Sequence, residues 1–234
     1  MALTSDFEMD QENQENTRSF LTMDSIRFTL NYLARFSIAG VVIFASTIAI
    51  QNYSWFTWHV ILCTVGYVPL MAESLMLFLG DEVWSKNMTR SAKYTIHGIV
   101  ISIATILIII GDGLVFYNLD ALYLRTTHSI TGLISLIFLV ISLPFGLMIK
   151  YNREVAPYLP IRTIWAKTLH NFLGILGYGI GVISLCYGFY TNWFSYYTSY
   201  EARLLALIAT LLTGLWTLNG AIISLVEQIN TILS

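Results

Sequence analysis

Charge is what this sequence has least of. Only 11% of its 234 residues are Asp, Glu, Lys or Arg, against 56% hydrophobic ones. Soluble domains carry about 25% charged residues. The formal net charge is −2, so there is no basic surplus of the kind that attracts nucleic acid. Cysteine is limited to Cys63 and Cys186, both inside apolar stretches. Two isolated thiols there fit small core residues and exclude a disulfide framework. The first residues lack the basic start and early apolar run of a secretory signal. Asp6, Glu8, Asp10, Glu12, Glu15 and Asp24 stand there against Arg18 alone, and residues 1–24 read as a disordered acidic tail.

What fills the rest is long apolar runs. Six can be drawn, at about 30–50, 55–79, 94–117, 126–149, 164–190 and 202–229. About 20 apolar residues cross the hydrocarbon core as a helix, because a helix satisfies its own backbone where no water can. The expected fold is therefore all-α: one membrane domain over 25–234, a six-span bundle with short connections and antiparallel neighbours. Pro157 and Pro160 fit a turn between the fourth and fifth spans.

Orientation follows from Lys and Arg. Arg18, Arg27, Arg35, Lys86, Arg90, Lys93, Lys150, Arg153, Arg162 and Lys167 fall on the side of both termini, and only Arg125 and Arg203 on the other. Ten against two predicts that both termini, tail included, are cytoplasmic. Trp55, Trp58, Trp84, Trp165 and Trp193 lie near span ends, as an interfacial belt would.

The chain has four histidines, His59, His97, His128 and His170, each a few residues inside the start of spans two to five. Alternating span direction sorts them into leaflets. His59 and His128 fall near the non-cytoplasmic face, His97 and His170 near the cytoplasm. Each pair comes from alternate helices, diagonal across a four-helix core, which leaves room between two imidazoles for a flat macrocycle. An ionisable residue within a span is a functional hypothesis by default, and imidazole is a common haem-iron ligand. The competing reading is four separate histidines hydrogen-bonded to neighbouring helices.

Gly132 follows His128 by four, and Gly174 follows His170 by four. Each lies one turn on, on the histidine's face, where a missing side chain makes room for a porphyrin or for close helix packing. With each histidine about 5 residues into its span, the two iron levels would differ by roughly 15 Å.

The four histidines on spans two to five, the stretch Ser54-Trp55-Phe56-Thr57-Trp58-His59 followed by Leu70-Met71-Ala72-Glu73-Ser74-Leu75, and Lys167-Thr168-Leu169-His170 resemble the cytochrome b561 family, in particular its short cytochrome b561 domain-containing type. The resemblance covers about residues 30–230. It implies a transmembrane oxidoreductase with two b-type haems, His59 and His128 ligating the non-cytoplasmic one and His97 and His170 the cytoplasmic one. It further implies ascorbate as cytoplasmic donor, monodehydroascorbate or a ferric chelate as acceptor, a homodimer, and an endomembrane such as the endoplasmic reticulum or a vesicle.

Arg90, Lys93, Arg162 and Lys167 flank the cytoplasmic pair and would attract an anionic donor or haem propionates, though positive-inside topology alone also places cations there. Arg125, three residues before His128, is the matching candidate on the other face, for a propionate or the acceptor. Glu73, deep in span two, needs a partner or a proton; Asp112 and Asn219 are similar. Tyr67, Tyr94 and Tyr178 are expected to fill the core. Two rivals stand beside this reading: a quinol-oxidising di-haem cytochrome b, and a histidine-based proton or metal transporter. The latter needs carboxylates near the histidines, for which only Glu73 and Asp112 qualify, and broken helices, for which Pro69 and Pro144 are the candidates.

Overall fold

The computed structural model describes residues 2–79, 85, 87–118, 124–159 and 161–234, with side chains from residue 25 onward. Trp84, Lys86 and Pro160 lie outside the described residues. Six helices are long and apolar enough to cross a membrane: Ser25–Gln51, Thr57–Met76, Arg90–Asn118, Thr127–Lys150, Thr163–Gly188 and Tyr200–Leu233. They are called spans one to six below. Among the described residues there is no strand.

Local chemistry sets several of the ends. Thr126 caps span four, accepting from the Ser129 amide at 3.1 Å while Ser129 Oγ receives the Thr126 amide at 3.2 Å. Ser199 caps span six through the Ala202 amide. Thr57 closes the tight link between spans one and two, taking the Ser54 amide and donating to the Ala49 carbonyl. Pro157 sits in the turn before span five, as expected.

The first helix runs from Ala2 to Gln51, with span one as its C-terminal part. Residues 2–24 hold no Gly or Pro, and they extend a helix already nucleated by the span. One element departs from the sequence reading. Span two is not a continuous α-helix. Gly66–Met71, with Pro69 inside, forms a π-helical turn between Thr57–Val65 and Ala72–Met76. Proline lacks the amide of a regular turn, and the wider i→i+5 turn accommodates it. Pro144, by contrast, sits within an unbroken span four.

Spans two, three, four and five form a ring in chain order. Span two packs on three, three on four, four along five, and five on the π-turn of two. Span six lies on span five and span one on six and two, outside the ring. Thus two and four are diagonal, as are three and five.

Packing runs inside out relative to a soluble bundle. Ala34, Ala45, Ala49, Ala104, Ser135 and Thr217 are buried, while Ile99, Ile106, Ile110, Leu205, Leu212 and Leu215 face outward. Lipid is as apolar as leucine, so spans associate through small residues that permit close approach. Gly177 against Leu139 and Gly181 against the Tyr67 ring are such approaches. Trp55, Trp58 and Trp165 face outward near span ends, as a belt requires. Trp193 instead packs among Phe56, Phe194 and Tyr197.

Candidate functional site

The ring brings the histidines together in two diagonal pairs. The rings of His59 and His128 have centroids 6.0 Å apart, with planes at 75°. Those of His97 and His170 are 6.2 Å apart at 86°. Two imidazoles sharing one metal through bonds of about 2 Å have centroids roughly 6 Å apart, so both pairs have a separation at which two histidines could share one metal.

Each Nδ1 is already committed. That of His59 donates to the Gly111 carbonyl at 3.2 Å and that of His170 to the Ser142 carbonyl at 3.0 Å. His128 Nδ1 donates to the Ser184 carbonyl at 2.8 Å, with Ser184 Oγ at 3.2 Å. His97 Nδ1 lies 2.9 Å from Ser74 Oγ and 3.3 Å from the Ser74 carbonyl. A carbonyl only accepts, so Nδ1 carries the proton and Nε2 keeps its lone pair for a metal. Ligating histidines are commonly held this way by their second nitrogen.

The four braces have one logic. The paired histidines are diagonal, two with four and three with five. The carbonyls that hold them come from the antiparallel neighbour, two with three and four with five. Every pair therefore involves all four helices. One turn beyond the brace residues Ser142 and Ser184, a Cβ at Gly146 would meet His170 Cε1 at 3.1 Å, and one at Gly188 would meet His128 Cε1 at 3.2 Å. These glycines let the rings lie flat on the neighbouring helix.

The surroundings differ between the pairs. His97 and His170 open into a cavity of about 1490 Å³. Arg90, Lys93, Lys150 and Lys167 are among the residues that line it, and so are Gly98 and Gly174. A Cβ at either glycine would find nothing within 4 Å, so that space suits a flat group. Beside His59 and His128 the enclosed space is only about 30 Å³, bounded in part by Gly132, Leu133, Ser184 and Leu185. There the ligand set and separation fit, but a macrocycle has to spread these side chains.

Of the cations singled out in the sequence, Arg90, Lys93 and Lys167 line the large cavity. Arg90 also donates to the Tyr94 hydroxyl at 3.1 Å, so Tyr94 lies at the cavity rim, 40% exposed, and not in the core. Tyr67 and Tyr178 are buried as expected. Arg162 precedes span five without lining the cavity, and Arg125 lines neither space. A Cβ at Gly132 would meet Ser184 Oγ at 3.2 Å, so Gly132 belongs partly to helix packing. Glu73 finds its partner in span one, where the Arg35 guanidinium donates to both carboxylate oxygens at 3.0 and 3.3 Å.

Sequence reasoning missed the brace residues Ser74, Gly111, Ser142 and Ser184, and the glycines Gly146 and Gly188. One signal was present: Ser142 and Gly146 have the same spacing as Ser184 and Gly188. It also missed the company His59 keeps. Asp112 Oδ1 is 3.5 Å and Cys63 Sγ 3.6 Å from His59 Nδ1, and the thiol donates to Asp112 at 3.4 Å. The three side chains are of metal-binding type and lie within 4.8 Å of one another. With Nδ1 given to Gly111, they read as a hydrogen-bonded brace on His59.

Residues 58–195, which contain all four histidines, match the family described as eukaryotic cytochrome b561. The proteins named transmembrane reductase CYB561D2 of Mus musculus and Homo sapiens are each 27% identical over 183 residues, covering 77% of this chain and 81% of theirs. The Bos taurus protein of that name is 26% identical over the same share. No solved structure matches the chain.

Proposed function

The chain belongs to the eukaryotic cytochrome b561 family of b-type haem membrane proteins, and from that premise we propose that it carries electrons across the membrane between two haems, one on His97 and His170, the other on His59 and His128. One observation supports this above others. Two diagonal imidazole pairs stand 6.0 and 6.2 Å apart, with every Nδ1 engaged and no Nε2 hydrogen-bonded among the described residues. Haem supplies a one-electron couple when bound. The chain's part is to hold, orient and feed it.

Span four carries His128 and, further along, Ser142, whose carbonyl braces His170. From position 128 to position 142, a rise of about 1.5 Å per residue puts the two histidine levels about 21 Å apart along the spans. That is wider than the roughly 15 Å expected from span ends, since His59 and His128 stand only two residues and one residue after the first residue of their spans.

The cations of the large cavity mark the donor side. Arg90, Lys93 and Lys167 would draw in an anion of ascorbate type, with Arg162 at the entrance of span five. By the positive-inside rule that side is cytoplasmic and holds both termini, with residues 1–24 extending there from a membrane domain of 25–234. Monodehydroascorbate or a ferric chelate would take the electron at the opposite end, where Arg125, three residues before His128, is the candidate cation. An endomembrane location and a homodimer complete the reading, on family grounds. The relatives' name, transmembrane reductase, is in keeping with it.

The test uses purified protein in sealed vesicles. Ascorbate added to the face bearing the termini should reduce b-type haem at two haems per chain, and a ferric chelate trapped on the other side should reoxidise it. Protein that binds no haem after supplementation refutes the proposal. Reduction by quinol but not by ascorbate assigns the donor to the quinol class.

A further inference from the structure

The braces obey a spacing rule. Gly111 stands at i+14 from His97, Ser142 at i+14 from His128, and Ser184 at i+14 from His170. In each of these spans the residue that holds the neighbour's histidine follows the span's own histidine by the same step. Span two breaks the rule, because Ser74, which holds His97, stands at i+15 from His59.

The departure matters in a helix. Each residue turns the chain by about 100°, so an i+14 step makes nearly four turns and returns within roughly 40° of the starting face. One residue more would carry the carbonyl about 100° further round and about 1.5 Å along, out of reach of His97. Yet Ser74 meets His97 at 2.9 and 3.3 Å. Between His59 and Ser74 lies the π-helical turn Gly66–Met71. A turn closed by i→i+5 bonds takes up one residue more than an α-turn without advancing the face.

We propose that this π-turn is a one-residue insertion that holds His59 and the Ser74 brace in the register that the other three core spans achieve as plain α-helices. The inference rests on the di-haem reading, since it concerns the bracing of haem ligands. Its placement fits the packing. Gly66 lies against span three so closely that a Cβ would be 2.7 Å from the Ile108 side chain and 3.1 Å from the Ala104 carbonyl. Tyr67, on the same turn, bonds Ser135 Oγ of span four at 2.7 Å. These contacts anchor the first half of span two against span three and the diagonal span four, so the extra residue must be absorbed after them and before Ser74. Pro69 falls in that interval.

The experiment compares full-length variants by haem per chain and by stepwise redox titration. Deletion of Pro69 shortens the step to i+14 and leaves Gly66 and Tyr67 in place. It should retain both haems at wild-type potentials. Pro69→Ala keeps the extra residue and should also retain both. Deletion of Ile103, between His97 and Gly111, shortens a span that has no π-turn and should lose at least one haem. Loss of a haem on deleting Pro69 or in Pro69→Ala overturns the proposal, and so does retention of both on deleting Ile103. A wild-type protein without haem refutes the functional reading instead, so the two failures are distinct.

Discussion

A methyl group at Gly146 should weaken one haem and spare the other. Its Cβ would stand 3.1 Å from His170 Cε1, where carbon atoms in contact prefer about 3.5–4.0 Å. The ring must therefore retreat by roughly half an ångström, straining the Nδ1 bond to Ser142 and the hold that His170 would have on the proposed haem. Losing part of one good ligand or brace interaction costs about 1–2 kcal/mol, or roughly tenfold in haem affinity. The helix itself gains, since Ala is favoured over Gly by about 1 kcal/mol in a helix interior. Gly146→Ala should thus leave folding intact while lowering occupancy of the haem that His97→Ala and His170→Ala also remove. Gly188→Ala, with its Cβ 3.2 Å from His128 Cε1, should act on the haem removed by His59→Ala and His128→Ala. Gly113→Ala, which meets nothing within 4 Å, is the neutral control. The assay is haem titration of purified apoprotein followed by redox-resolved difference spectra. Should Gly146→Ala and Gly188→Ala affect the same haem, or should the histidine replacements group otherwise, the diagonal pairing is wrong.

On the proposed ligation, Asp112→Asn should raise the midpoint potential of the haem that His59 and His128 would hold, and of that one alone, because a negative charge beside His59 favours the oxidised form. For a one-electron couple about 1.4 kcal/mol corresponds to ~59 mV, and a redox titration reads the shift. Gly174→Leu should cut haem at the His97/His170 site several-fold while leaving the protein's detergent elution profile unchanged, since that side chain would enter the open cavity. Replacing Lys93 and Lys167 together by Ala should slow reduction by ascorbate several-fold at low salt, with the difference fading toward about 1 M as the screening length shrinks to about 3 Å. Arg35→Gln should lower stability by about 1–3 kcal/mol by leaving Glu73 unpaired, and adding Glu73→Gln should recover most of it; thermal unfolding in detergent measures both.

The spans were legible because a bilayer writes its demand directly into composition: about 20 apolar residues, bounded by charge. The histidine pairs were legible for a related reason. Alternating direction and the Lys/Arg bias sort His59 with His128 and His97 with His170, and the structure places those rings together. The braces were not legible, because a backbone carbonyl has no letter of its own. Ser142 reads as any small membrane residue until His170 is seen donating to its carbonyl. The glycines show the same limit. Looking one turn along each histidine's own helix found Gly132 and Gly174, whereas the glycines under the rings, Gly146 and Gly188, belong to the neighbouring helix. The π-turn depends on a single residue in a count, which shows only once both ends of the count are known.

The arrangement of ligands and braces also answers how such a bundle stays assembled. Apolar burial gives spans no reason to leave lipid for each other. What remains is small-residue packing and bonds between helices, and these are unevenly shared: span four packs along span five, while spans three and four touch less. The braces follow the antiparallel neighbours, two with three and four with five. They strengthen two hairpins and do nothing to join them. The diagonal histidine pairs do the opposite, since each sets a helix of one hairpin opposite a helix of the other. Among the described residues the protein-only ties between the hairpins include Tyr67 to Ser135 and the close approach of Gly181 to Tyr67. A group bridging each diagonal would therefore lock one hairpin to the other at both membrane faces. Haem loading should accordingly raise the stability of the whole domain, by an amount set by free haem concentration relative to its dissociation constant. Tyr67→Phe should leave the apoprotein more dependent on haem than the wild type, which thermal unfolding with and without added haem would read as a larger gain on loading.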